Sequence, residues 1–265
     1  MRLTTFLSFS LLGVALLGLG GCASSSGKKW APAQSIARIP RGYHPLDVRN
    51  ACFVESVHFC DFYQARQLGG PDGWAKVLQW GNRKDDYTIK GGHAVAVYQA
   101  KNRLWVHDIN YGFLSLAAPV TSRNDLTEVA PQIVAKYPEM KAALVRYEDE
   151  LPQSPEKNPP DYTKGATTQE LHDALRVAIE LGRFRPVRVV EFIAPQEAYL
   201  RPYAATLFRY GGKLCIYSPS NGTRVVAASL AGIEDLNTAR ALVMASFPDA
   251  QDVKWFQPAQ AVVLR

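Results

Sequence analysis

His93-Ala-Val-Ala-Val-Tyr98 and Tyr203-Ala-Ala-Thr-Leu-Phe208 are one apolar run met twice, at an offset of 110 residues. Downstream the offset holds without a gap. Arg103-Leu104 falls on Lys213-Leu214, Gly112 on Gly222, and Asn124-Asp125-Leu126 on Glu234-Asp235-Leu236. Ala135, Tyr137, Pro138 and Glu139 fall on Ala245, Phe247, Pro248 and Asp249. Upstream the offset becomes 112, where Val77-Leu78-Gln79-Trp80 meets Val189-Val190-Glu191-Phe192. It then becomes 113, where Ala65, Leu68 and Gly69 meet Ala178, Leu181 and Gly182. The small gaps fall between elements, where loops tolerate them. A near-constant offset across several elements predicts two copies of one unit.

Local signals give each copy the same order of elements. Asn50 to Gln67 lacks Pro and Gly, and its Phe53, Val57, Cys60 and Gln64 share one helical face. The matching helix starts at Thr168 and runs to Leu181, with Leu171, Leu175, Ala178 and Ile179 on one face. His93–Tyr98 and Leu104–Asp108 read as a hairpin turning at Lys101-Asn102, with Gly211-Gly212 as the same turn in copy two. Gly112 and Gly222 mark the next turn, and helices follow over Asp125–Lys136 and Asp235–Phe247. The predicted fold class is α+β, a tandem pair of helix-plus-antiparallel-sheet units. Copy one covers residues 43–150 and copy two 166–265, and the linker at 151–165 holds four prolines.

Composition narrows the function classes. The 265 residues are 47% hydrophobic, too apolar for disorder. Thirty basic against 24 acidic residues give a net charge of +6, spread without a basic stripe, which argues against a nucleic-acid partner. There is no CxxC pair and no His/Cys cluster at zinc spacing, so neither a metal nor a cofactor is expected.

The N-terminus reads as an address. No charge occurs from Leu3 to Gly27, and Phe6–Leu19 is an apolar run behind Arg2. Leu19-Gly20-Gly21-Cys22 resembles the bacterial lipobox. That resemblance implies a signal peptide over residues 1–21, cleavage before Cys22 and diacylglycerol on its sulfur. Ala23, in place of Asp, implies an outer-membrane address facing the periplasm. Residues 22–42 would then be the lipidated cysteine and a Ser-, Gly- and Lys-rich tether. Lipid on Cys22 leaves Cys52, Cys60 and Cys215, an odd number that points to at least one reactive thiol. A Cys60–Cys215 disulfide and two buried thiols both remain open.

Three residues of copy one form a chemical set. Cys52 lies in the first turn of its helix, where the helix dipole favours a thiolate. His93 opens a strand, and Asp108 ends the partner strand 15 residues later, across the hairpin. An acid there can orient an imidazole that serves a thiol nucleophile. Cys52-Phe-Val-Glu-Ser56, Gly92-His93-Ala-Val-Ala-Val-Tyr98 and Asp108-Ile-Asn-Tyr-Gly112 together resemble the papain-like cysteine peptidases, most of all the branch that trims double-glycine leaders in bacteriocin transporters. The resemblance covers roughly Tyr43 to Val120 and implies a papain-like unit acting on peptide or amide bonds. By it, Cys52 would be the nucleophile, His93 the base and Asp108 the orienting acid. The family's oxyanion-hole Gln precedes its Cys; Leu46 stands there, and Asn50 is the nearest amide.

Copy two is an internal control. Tyr203 stands for His93, Ser218 for Asp108, and Lys164 or Gly165 for Cys52. Its apolar skeleton persists while every reactive position differs, which makes it a degenerate copy. Cys60 is a rival nucleophile, since Cys60-Asp61-Phe62-Tyr63 echoes a transglutaminase-type run, but its mid-helix place reads as core. Two functions follow. One is an envelope-anchored cysteine peptidase or amide hydrolase using Cys52, His93 and Asp108. The other is a catalytically inactive papain-like lipoprotein that serves as a binding or assembly scaffold. The peptide or protein that either would engage is not specified by the sequence.

Overall fold

The computed structural model describes residues 40–83, 89–100, 103–116, 129–137, 144–148, 168–196, 199–226 and 232–257. The expected signal peptide, Cys22, nearly all of the tether and the 151–165 linker lie outside the described residues. The first half contains α1 (Cys52–Ala65), β1 (Ala75–Arg83), β2 (Ile89–Ala100), β3 (Arg103–Asp108), β4 (Gly112–Leu116), α2 (Val129–Val134) and β5 (Leu144–Glu148). The second half contains α3 (Gln169–Leu181), β6 (Val187–Gln196), β7 (Tyr199–Tyr210), β8 (Lys213–Ser218), β9 (Gly222–Val226), α4 (Leu236–Ser246) and β10 (Gln251–Trp255). The fold is α+β, with two five-stranded antiparallel sheets ordered β4-β3-β2-β1-β5 and β9-β8-β7-β6-β10.

The strand registers repeat the sequence offsets. Ala96 pairs with His107 and Val97 with Val106 in the first sheet; Thr206 pairs with Tyr217 and Leu207 with Ile216 in the second. Trp80 pairs with His93, and Phe192 with Tyr203. Asp108 pairs with Gly112, and Ser218 with Gly222, closing the two turns that the glycines mark. Gly112 sits at φ 92° and Gly222 at φ 70°, a conformation that costs glycine little.

Side-chain alternation sorts the layers. On β2, Ala94, Ala96 and Tyr98 face a central core, while Val95 and Val97 face an outer one. The central core also takes α1, α3, and Val189, Ala204, Phe208 and Cys215 of the second sheet. The outer core of the first sheet is closed by Val129, Ala130 and Ile133 of α2, and by Tyr137. That of the second sheet is closed by Ala239, Leu242 and Val243 of α4. The order through the molecule is therefore α2, first sheet, α1 with α3, second sheet, α4.

This sandwich explains where the sequence pattern and the structure differ. α1 has no apolar stripe with an exposed back: every residue from Cys52 to Tyr63 is buried, because a sheet covers one side and α3 and β9 the rest. α3 begins as expected, with the Thr168 hydroxyl accepting from the Leu171 N–H at 3.2 Å. α2 spans only Val129–Val134, and its end tightens into N–H bonds from Lys136 and Tyr137 to carbonyls three residues back. Residues 125–128 of the predicted helix lie outside the described residues. Cys60 and Cys215 are both buried thiols, so they do not form the disulfide left open by the sequence.

One buried ion pair ties the halves together. Arg185, between α3 and β6, meets Asp61 of α1 through Nε–Oδ2 at 2.7 Å and Nη2–Oδ1 at 2.5 Å, with both side chains fully buried. Its Nη1 donates to the Arg209 carbonyl, and its guanidinium lies 5.3 Å from the centre of the Tyr210 ring. Removing one partner strands a charge in a dry core, which costs about 3–5 kcal/mol. Arg185→Met is expected to lose that much in urea unfolding, and pairing it with Asp61→Leu should recover most of the loss. A single variant as stable as the parent would show that the pair does not hold the halves.

Candidate functional site

His93 lies five residues into β2 rather than at its start. The β2–β3 ladder ends at Ala96–His107, so Asp108 stands one step further and diagonal to His93, within reach of a long side chain. The imidazole Nε2 meets Asp108 Oδ2 at 2.5 Å, and both side chains are fully buried. The Tyr137 hydroxyl donates to the same oxygen at 2.6 Å. Oδ1 accepts the N–H groups of Asn110 at 2.6 Å and Tyr111 at 3.1 Å, so the carboxylate also holds the turn into β4. Burial alone would raise the Asp108 pKa. The hydrogen bond and charge of His93, then Tyr137 and the Asn110 N–H, hold it below its ordinary value.

The pair faces the outer core. The His93 ring lies 5.1 Å from Trp80 and 5.2 Å from Tyr137, both members of the cluster behind the first sheet. α1 packs on the other face, against Ala94, Ala96 and Tyr98. The remaining imidazole nitrogen, Nδ1, has no hydrogen-bond partner among the described residues. The structure thus brings His93 and Asp108 together on one face of the first sheet, while the helix that begins at Cys52 packs on the other.

Cys52 is the first residue of α1, as expected, and is 8% exposed. It is disulfide-bonded, and the other half of that bridge lies outside the described residues, since Cys60 and Cys215 are thiols. With four cysteines in the chain, a lipid thioether on Cys22 and a bridge at Cys52 exclude one another. Asn50, the candidate oxyanion donor, sits at φ 53° and gives its amide to the carbonyls of Pro219 at 2.7 Å and Ser220 at 3.4 Å. Its neighbour Arg49 holds Glu170 at 3.1 Å and Asp173 at 2.9 Å, and the Tyr217 hydroxyl donates to the Arg49 carbonyl at 2.6 Å. The tip of α1 is therefore docked onto the second half, at the β8–β9 turn and the start of α3. Leu46, at the position of the family's Gln, is fully buried, and its N–H donates to Glu55 Oε2 at 2.9 Å.

Tyr137 is a site residue that the sequence pattern does not single out. A signal for it is nonetheless present in the repeat, where Phe247 stands for Tyr137 just as Tyr203 stands for His93 and Ser218 for Asp108. The Phe192, Tyr203 and Phe247 rings form the same triangle behind the second sheet, at 5.6, 5.0 and 4.9 Å. Among the described residues, no group of three His, Cys, Asp or Glu side chains could hold a metal. Comparison with protein-family models, curated proteins and solved structures finds no match.

A second buried polar group lies on the α1 side of the first sheet. Tyr43 donates to Glu55 Oε1 at 2.5 Å and stacks on His58 at 5.0 Å. His107 stacks on Phe59 at 4.5 Å. Burial pushes His58 and His107 down to about 4 and Glu55 up to about 7. An unfolded histidine titrates near 6.5, so each contributes stability that is present above that pH and lost as pH falls toward 4. Glu55 acts in the opposite sense: its contribution is present below 4.5 and lost as pH rises toward 7. Each histidine accounts for on the order of 3 kcal/mol at most. His107→Phe is expected to flatten the acid limb of stability against pH, and Glu55→Gln the neutral limb. Urea unfolding at a series of pH values reads both slopes; unchanged slopes would mean that these groups titrate as exposed ones do.

Proposed function

We propose that this chain is an envelope-anchored, catalytically silent protein that binds or assembles a peptide or protein partner on a tandem papain-like scaffold, its second unit degenerate. The observation that carries this reading is the placement of the reactive set. His93 and Asp108 meet Tyr137 behind the first sheet, while Cys52 belongs to a helix tip docked on the second half. A thiol nucleophile needs its base within hydrogen-bond reach, and the described contacts of the His93 ring are Asp108, Trp80 and Tyr137. The anchor rests on the lipobox-like Leu19-Gly20-Gly21-Cys22, with an outer-membrane address facing the periplasm. No described helix is long and apolar enough to cross a membrane.

The reading gives two measurable outcomes. Alkylation of the denatured, unreduced mature protein tests the anchor: a thioether at Cys22 would release Cys52 from its bridge, so that three cysteines are modified rather than two. Only two modified thiols would indicate the Cys52 bridge, and with it an unlipidated Cys22. In the folded protein after reduction, His93→Ala should leave the alkylation rate of Cys52 unchanged while lowering stability by about 2–4 kcal/mol, the cost of stranding Asp108 and opening a cavity. A Cys52 rate that falls with His93→Ala, together with turnover of an amide substrate, would restore the peptidase reading.

A further inference from the structure

The hairpin of β6 and β7 is longer than the sheet that carries it. β8 pairs with β7 only over Thr206–Tyr210, and β10 reaches β6 only as far as Ile193. Beyond these points three more pairs continue, from Ala194–Arg201 through Pro195–Leu200 to Gln196–Tyr199. The result is a two-stranded arm whose edges have no strand partner among the described residues, a form that is marginal on its own. At its far end β7 begins with the two most exposed large apolar residues of the described structure, Tyr199 at 70% and Leu200 at 53%. Arg201 beside them is also exposed, with its guanidinium 5.8 Å from the Tyr203 ring and its Nη1 donating to Gln196 Oε1 at 2.6 Å.

The arm's edges argue against capture of a partner strand. Pro195 stands on one strand and Pro202 on the other. Proline has no N–H to offer a ladder and is a device that blunts edges. What the arm presents is therefore the side chains that open β7, Tyr199, Leu200 and Arg201. An aromatic ring with a polar tip, a leucine and an arginine are the residue types that settle at a bilayer interface. The prolines also leave fewer backbone N–H groups to desolvate there. The chain as a whole is basic, with a net charge of +6, which complements an anionic surface.

We infer that the β6–β7 arm is a membrane-contact element, with Tyr199 and Leu200 entering the headgroup region of an anionic bilayer and Arg201 meeting lipid phosphate. The contact orients a domain that another element holds near the membrane, and it is independent of whether the chain is an enzyme. One apolar pair and one cation bind weakly alone, so the contact depends on a high local concentration.

The test adds the full chain to vesicles of phosphatidylcholine with and without phosphatidylglycerol, and follows hydrogen exchange at the amides of Tyr199, Leu200 and Arg201. Flotation with pure phosphatidylcholine vesicles reports the lipid anchor separately, so failure of the anchor and failure of the arm are told apart. Exchange is expected to slow about tenfold on phosphatidylglycerol vesicles, for a contact of one side chain's burial. The slowing should disappear in the Tyr199→Ser/Leu200→Ser variant and shrink at high salt. Both residues are exposed, so the thermal unfolding of that variant should match the parent and exclude misfolding. Equal exchange on both vesicle types, or protection that grows with protein density at fixed lipid, would overturn the inference, the latter in favour of a protein contact.

Discussion

The Asp61–Arg185 ion pair is the constraint from which the rest of the arrangement follows. Two charges can stay in a core only if their hydrogen-bonding capacity is met, and here it is met twice over. The carboxylate takes two guanidinium nitrogens, and the guanidinium also reaches the Arg209 carbonyl and the face of Tyr210. Those partners come from α1, the α3–β6 connection and β7, so the pair fixes how the first half's helix sits on the second half. With that end of α1 fixed, its other end falls beside the β8–β9 turn. There Gly222 leaves room for the Asn50 carbonyl, which an added Cβ would approach to 3.3 Å. Arg49 and Asn50 then close the contact with Glu170, Asp173, Pro219 and Ser220.

Cys52, His93 and Asp108 come in the right order on the right kinds of element, and two of them do meet. The face of a strand on which a side chain lands depends on parity, and parity is a one-residue matter. His93 shares parity with Val95 and Val97, which face α2; the residues facing α1 are Ala94, Ala96 and Tyr98. A shift of one residue would have turned the imidazole toward α1.

The order of elements and the turn glycines were legible because they rest on hydrophobic pattern and on backbone conformation. The strand registers follow the same offsets of 110 and 112 residues that the sequence shows. The helix over Cys52–Ala65 was legible from its lack of Pro and Gly, but not its full burial, since two layers stacked on a third leave no trace in one helix's periodicity. Arg185 was not legible either. It has no counterpart in copy one, and a lone arginine after a helix ordinarily reads as solvated. His107 lies on the opposite strand face from Asp108, stacked on Phe59, as alternation along a strand requires.

The two outer cores supply the comparison that gives the His93 site its meaning. Trp80, His93 and Tyr137 form a triangle of rings at 5.1, 5.2 and 4.9 Å, close to that of Phe192, Tyr203 and Phe247. The packing of that corner therefore does not require a histidine. What the first half adds is a carboxylate, and the carboxylate acts locally, through an Oδ1 that holds the N–H groups of Asn110 and Tyr111 in the turn to β4. The second half closes the same turn with a backbone bond from the Asn221 N–H to the Ser218 carbonyl. Once an aspartate occupies that buried position, its second oxygen needs donors, because an unpaired carboxylate in an apolar core is costly. His93 and Tyr137 supply both, from the two positions whose counterparts are Tyr203 and Phe247. Three substitutions that look independent along the chain are thus one electrostatic requirement, and they explain why the polar set is confined to one half without calling on a nucleophile.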